Sequence, residues 1–462
     1  MSHDEHEPLS SEITTPAGEV GIVPMNVSVR VKLSVMMFLQ YFVWGAWFVS
    51  MGSYISNTLG FTDPQKGMIY STSPIGAMVA PFFVGMIADR FFATQRILSV
   101  LHLVGGVLLL GLSFTSNYTV FLPLMILFFL CYMPTLPLTN SLSFSHMSDP
   151  ETQFPGVRVL GTIGWIVAGL LVGYTAITPE GGLVLDMHTT EAVAVEGEAA
   201  ASEEAAPGPK AVADTPLPFQ LGAGAAVLMA IFCLSLPHTP PPNPGGKADV
   251  RTILGLDALA MLKHWSFAVF VIGSFLICIP LQFYYSFAET FLKDVQVPNA
   301  VAKMTYGQMS EIFFMLVMPF FFVRLGVKYM LLVGMAAWAL RYWLFAIGNA
   351  DDRMWMLYGG ILLHGICYDF FFVTGYIYVD KKAPRTIRAS AQGLIAFITW
   401  GVGGFIGSNL AGRVGALFTT SDGGHDWSGF WATPAIASVV VLVLFALTFY
   451  DRVQPEKAPE TA

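Results

Sequence analysis

Two carboxylates and a guanidinium stand in this 462-residue chain where a lipid-facing segment should have none: Glu311, Asp369 and Arg158 lie in, or at the mouth of, long apolar stretches. An ionisable side chain at mid-bilayer costs at least about 2.5 kcal/mol, so each needs a structural partner or a task. Helical spacing gives them company. Arg158, Thr162 and Trp165 fall at i, i+4 and i+7 and share one helix face. Gln282 and Tyr285 share a face at i, i+3, as do Gln308 and Glu311, and His364 and Tyr368 do so at i, i+4. Asp369 is one step, about 100°, around from Tyr368. Each pair alone is weak, because an aromatic at helical spacing is usually core. Together, four helices offer hydrogen-bonding groups beside an aromatic or a charge. That set suits a neutral, hydroxylated, flat ligand: amides, a carboxylate and an Arg for ribose hydroxyls and base edges, Trp165 and Tyr368 for stacking. Buried structural ion pairs are the alternative for Arg158, Glu311 and Asp369. Arg341, also mid-span, reads as a snorkelling or structural charge.

The elements that must hold these residues are membrane helices. Hydrophobic residues make up 55% of the chain, charged residues 12%, and the mean hydropathy is +0.62. A soluble domain carries about 25% charged residues, so this chain cannot clothe a water-facing surface. The net charge of −8 argues against a nucleic-acid partner. Apolar stretches fall at about 33–59, 67–88, 97–115, 118–142, 158–177, 219–236, 265–288, 305–323, 328–348, 354–379, 389–418 and 428–449, each near the length of about 20 residues that a span needs. These twelve predict an all-α polytopic membrane protein. The expected organisation is a tail over 1–29, a six-helix bundle over 30–236, a Pro-rich cytoplasmic linker over 237–264, a second bundle over 265–450 and a tail over 451–462. With both termini in the cytoplasm, sixteen of the 23 basic residues fall inside and six outside, as the positive-inside rule requires. The outer segment 178–218 is rich in Ala, Glu and Pro and reads as a flexible acidic insertion with no core of its own. No HExxH, GxSxG, P-loop or Cys/His cluster is present, so neither an enzyme nor a metal or cofactor site is indicated.

The two halves echo each other. Gly85-Met86-Ile87-Ala88-Asp89-Arg90 after span two corresponds to Arg324-Leu325-Gly326-Val327-Lys328 after span eight. Arg158 to Gly164 at the start of span five corresponds to Arg388 to Gly393 at the start of span eleven. Parallel repeats of six spans are the signature of major facilitator transporters, whose substrate sits at the midplane between the halves. Asp89 and Arg90 are the candidate gate residues of the cytoplasmic side, with topology anchoring as their alternative.

These segments, with Phe38-Leu39-Gln40, Trp44-Gly45-Ala46-Trp47, Gly52-Ser53-Tyr54, Tyr132-Met133-Pro134-Thr135-Leu136, Leu254 to Ala258, Ser310-Glu311 and Asp369-Phe370-Phe371, resemble the nucleoside:proton symporters, a bacterial permease family of the major facilitator superfamily. The resemblance runs over about 27–450 without the insertion. It implies a substrate site lined by Arg158, Thr162, Trp165, Gln282, Tyr285, Gln308, Glu311, His364 and Tyr368, with Asp369 as a proton-coupling carboxylate; Glu311, as a second carboxylate in an apolar span, is the other candidate for that role. Tyr285 stands where the family pattern has an amide, His364 where it has a tyrosine, and Trp165 where it has a smaller aromatic. The implied activity is uptake of a nucleoside with a proton by a monomer in the cytoplasmic (inner) membrane. Burial in a low-dielectric site favours the neutral form of a carboxylic acid, which gives such a group a proton to carry. The rival readings are a transporter of another hydroxylated solute, such as a sugar, an exporter, and a membrane sensor that binds without flux.

Overall fold

Span one opens where the sequence allows a cap: the Asn26 side chain accepts the Ser28 N–H at 2.9 Å, satisfying one of the helix's free donors. From there a computed structural model describes residues 25–84, 91–185, 208–241, 256–384 and 387–450. The tails, the gate pair Asp89 and Arg90, the linker portion 242–255 and the insertion over 186–207 lie outside the described residues.

Among the described residues nine helices are long and apolar enough to cross a membrane. One of them, Ala300–Ile347, holds two helices, spans eight and nine, with a non-helical residue between them. Gly326, at φ 65°, is the joint between them, a conformation that a residue with a Cβ seldom adopts. Two further spans are shorter or interrupted. Span six is Leu217–Cys233, and span two runs as Asp63–Tyr70 and Thr72–Phe83. With these, each of the twelve stretches contains a span helix among its described residues, and Thr175–Ile177 at the end of the fifth is strand. Large apolar side chains such as Leu316, Val323 and Leu447 point outward, as lipid-facing residues do.

Several spans are not regular. Span one, Val27–Gly45, continues through a turn into the π-helical Tyr54–Thr58. Span four breaks at Pro134 between Tyr118–Tyr132 and Thr135–Phe144. Span ten is Met354–Leu362, His364–Cys367, the π-helical Tyr368–Val373 and Thr374–Lys382. Span eleven is Arg388–Ala396, the π-helical Phe397–Gly403 and Gly404–Leu417. One apolar cluster gathers buried residues from Ala258 to Phe449, and two others gather residues from Leu33 to Leu236. Tyr285 packs against clusters of both halves.

The insertion differs from its sequence reading at both ends. Strand β1 (Thr175–Ile177) pairs antiparallel with β2 (Leu183–Leu185) and with β3 (Lys210–Ala211). Val212 and Ala213 are buried with Val172 and Val301. The end of the segment read as solvated over 178–218 is therefore docked, because two apolar residues there find a ready apolar partner surface.

Candidate functional site

The halves meet at the face away from the start of span one and the end of span twelve, and they meet through polar contacts. Glu289, at the end of span seven, is buried and accepts the Ser53 N–H at 2.9 Å and the Ser53 hydroxyl at 2.8 Å. Lys293, one turn on, pairs with Glu289 at 3.0 Å and with Asp214 of the first half. Lys66, fully buried in span two, donates to Thr290 Oγ1 at 2.7 Å, and its ammonium lies 4.3 Å from the Phe287 ring centroid. His425 bonds Asp63 at 2.7 Å. Spans two and eleven touch backbone to backbone: a Cβ on Gly67 would sit 2.5 Å from the Ser408 carbonyl oxygen and 3.0 Å from Gly412 Cα.

Below this closure the predicted residues gather on two facing walls. On the first-half wall, the Arg158 guanidinium lies 4.2 Å from the Tyr41 ring centroid, a cation–π contact worth about 0.5–2 kcal/mol. Thr162 follows on the same helix, half-buried. Trp165 stands edge-on to Trp44 at 5.4 Å and to Phe48 at 6.1 Å. The buried indole nitrogens of Trp165 and Trp44 have no hydrogen-bond partner.

On the second-half wall, Tyr285 is edge-on to Phe48 of the first half at 6.4 Å and faces Trp400 at 6.4 Å. Glu311 lies with its carboxylate 3.9 Å from His364 Nε2. Arg158 acts on Glu311 electrostatically from across the site. The buried His364 ring stacks on Tyr284 (5.6 Å, 27°) and on Tyr368 (6.2 Å, 22°). Asp369 is fully buried, and neither carboxylate oxygen has a hydrogen-bond partner. Gln308 is half-buried one turn before Glu311. Gln282 is different: it is buried, and its Oε1 accepts the Ser408 hydroxyl at 3.1 Å, so span eleven already engages that amide.

An apolar groove elsewhere, about 680 Å³ and lined by Tyr306, Met309, Phe313, Leu340, Leu362 and Ile366 among others, contains none of the predicted site residues.

A family model described as nucleoside H+ symporter matches residues 25–182 and 206–454. The chain belongs to the nucleoside:H+ symporter family. The symporter match omits 183–205, the core of the acidic insertion. A putative nucleoside transporter YegT of Escherichia coli (strain K12) is 40% identical over 91% of this chain and 93% of its own length. A xanthosine permease of the same organism is 32% identical over 94% and 99%. The crystal structure of the nucleoside transporter NupG matches with a TM-score of 0.77 at 29% identity, covering 92% of this chain and 100% of that one. A bacterial homologue of the lysosomal transporter Spinster matches with a TM-score of 0.67 at 14% identity, a likeness of fold alone. The fold is the major facilitator fold, twelve spans in two six-helix halves, and the molecule is a multi-span membrane transporter.

Beside the predicted residues, the symporter brings Tyr41, Trp44, Phe48, Tyr284, Tyr376 and Trp400 to the same walls. The Trp400 indole donates to Tyr376 Oη at 3.2 Å. A signal for the first three was present: Tyr41, Trp44 and Phe48 fall at i, i+3 and i+7 of span one. So was one for span ten, where His364, Tyr368, Phe372 and Tyr376 recur every fourth residue.

Proposed function

We propose that this transporter brings a nucleoside into the cell together with a proton, by alternating access, across the inner membrane. The observation that carries the reading is the pairing of walls: Arg158 and two unpartnered indoles on one half face Glu311, His364 and Tyr368 on the other, with the partnerless Asp369 carboxyl directly behind. Arg158, Thr162, Gln308 and Glu311 suit the common ribose, as donors and acceptors at the span faces. Tyr285 and His364 suit the base, and Trp165 and Tyr368 supply stacking surface. Gln282 orders span eleven through Ser408 and reaches substrate only if that bond is exchanged.

Asp369 carries the proton in this scheme, and Glu311 links it to the ligand. A carboxyl with no partner is tolerable in the span when neutral, and costly when charged. Loading a proton therefore favours the state in which Asp369 is buried, and release requires its surroundings to change. One proton crossing 100 mV supplies about 2.3 kcal/mol, enough for roughly 50-fold accumulation. With both termini in the cytoplasm, the closed face that carries Glu289, Lys293 and Lys66 is the outer one. Substrate loading then requires those contacts to open. The chain acts as a monomer, without a cofactor and without covalent chemistry.

Uptake of a radiolabelled nucleoside panel, with and without a protonophore, tests the reading. Nucleoside accumulation abolished by the protonophore is expected. Binding without flux would make the molecule a sensor, and sugar uptake in place of nucleoside uptake would move the substrate class.

A further inference from the structure

Arg341 plays no part in the scheme above, yet its position demands a reason. It is mid-span and fully buried, so it does not snorkel. Its Nε donates to the Gly360 carbonyl at 2.9 Å, and its guanidinium carbon lies 4.2 Å from the Tyr284 ring centroid. Nη1 and Nη2 have no hydrogen-bond partner, and among the described residues no carboxylate pairs with it. A buried cation held by one hydrogen bond and a ring face is costly, and an apolar side chain of the same volume is often as stable or more so. Stability alone does not account for an arginine here.

Both contacts lead to His364. The Tyr284 ring, with the guanidinium against it, stacks on the imidazole. Gly360 lies one turn before His364, where span ten is interrupted between Leu362 and His364. Ser310 braces that interruption from the other side: its hydroxyl donates to the Leu362 carbonyl at 2.7 Å and accepts the Gly365 N–H at 3.0 Å. Gly307 leaves the room that the His364 side chain occupies, since a Cβ there would be 3.0 Å from His364 Cβ. The imidazole is thus propped from behind and presented toward Glu311 and Tyr368.

We propose that Arg341 is a positioning residue for base selection: through the Tyr284 ring and the Gly360 carbonyl it fixes His364 against the substrate. This rests on the proposed nucleoside function and adds to it a residue that does not touch the ligand. The backing ring is equally required, so loss of the Tyr284 ring has the same consequence as loss of the cation.

Arg341→Met keeps the volume and removes both contacts. In a competition assay against a full nucleoside panel, it is expected to change the ratio of purine to pyrimidine preference about five-fold, the worth of one net hydrogen bond. Arg341→Lys, which keeps a cation over the ring, restores the order in part. The deciding measurement is the double variant with His364→Gln. If Arg341 acts through His364, the change in ranking disappears in that background, because contacting sites couple and independent ones add. Equal loss for every nucleoside, additive with His364→Gln, overturns the proposal, as does an unchanged ranking. Should Arg341→Met fail to reach the membrane, Tyr284→Leu is read by the same criteria. A wild-type protein that moves no nucleoside overturns the functional reading itself. A wild-type ranking that survives in the variants overturns only the assignment of Arg341.

Discussion

Replacing Glu289 by Gln should loosen the closed face, and the contacts give the size of the effect. Glu289 accepts two hydrogen bonds from Ser53 and an ion contact from Lys293. Hydrogen bonds to a charged group contribute about 1.5–3 kcal/mol each and neutral ones about 0.5–1.5. The amide keeps one oxygen to accept the Ser53 N–H, and its NH2 needs the Ser53 hydroxyl turned round to accept, so exchanging two charged bonds for two neutral ones costs the closed state about 2–3 kcal/mol. Closing also strips water from the carboxylate, and the amide escapes part of that penalty. We take the difference as about 1.5 kcal/mol, roughly a tenfold shift in the ratio of closed to open molecules. Lys293 keeps Asp214 as a partner, so the face should open more often rather than come apart.

The assay is a distance distribution between spin labels at Asn57 and Ser421, exposed positions on the closed face of the two halves, in a background without Cys131, the cysteine that is only partly buried. Glu289→Gln is expected to move population from the short to the long distance by about tenfold in ratio. An unchanged distribution would refute the reading of these contacts as the closing force. A shift toward the short distance would also refute it, since desolvation would then outweigh the hydrogen bonds and the network would hold the face open.

Asp369→Asn keeps the size of the side chain but cannot carry a proton: protonophore-sensitive accumulation should vanish while substrate exchange down a gradient persists, and normal pH-dependent accumulation in the variant would pass the role to Glu311. Arg158→Ala should weaken all nucleosides alike, whereas His364→Tyr with Tyr285→Asn should change their ranking several-fold; an unchanged ranking in a panel competition assay would place both residues off the base. Deleting 186–207 should leave uptake nearly intact. Extending the deletion through Asp214 should reduce it, because Asp214 pairs with Lys293 and Val212 and Ala213 are buried; equal uptake by the two deletions would count against a docked end.

How much of this was legible depended on range. The twelve spans follow from composition, because a bilayer asks only for length and apolarity. The break between spans eight and nine falls inside the four residues, 324–327, left between those two stretches, but composition does not show that Gly326 makes it. Glu311 and Asp369 announced themselves by cost: a carboxylate is conspicuous in a span. Arg341 announced itself equally, but its reading depended on what lies against it, and Tyr284 and Gly360 are far from it in sequence. Tyr41, Trp44 and Phe48 had helical spacing but no charge to separate them from ordinary core. They become site residues only because span five brings Arg158 and Trp165 to the same face of span one. The end of the acidic insertion was misread because the apolar pair that docks it, Val212 and Ala213, is too short to show a period.

The irregular turns fall where the proposed chemistry is. In a regular helix, neighbours such as Tyr368 and Asp369 point about 100° apart and every carbonyl is taken. The π-helical turn over Tyr368–Val373 widens the helix by a residue, a feature that recurs at functional sites. Tyr368 stays half-buried against His364 on the site side, while Asp369 is fully buried with no partner. One turn thus carries a ligand-facing ring and a proton-bearing group side by side. Under the proposed roles, no long pathway is needed to couple substrate to proton: the ring that stacks and the carboxyl that holds the proton sit on the same widened turn. Span eleven carries a matching π-helical turn over Phe397–Gly403, with Trp400 stacked on Phe372 of span ten at 5.0 Å. A closure that moves span eleven therefore bears directly on the turn that holds the carboxyl, which is the connection alternating access with proton coupling requires.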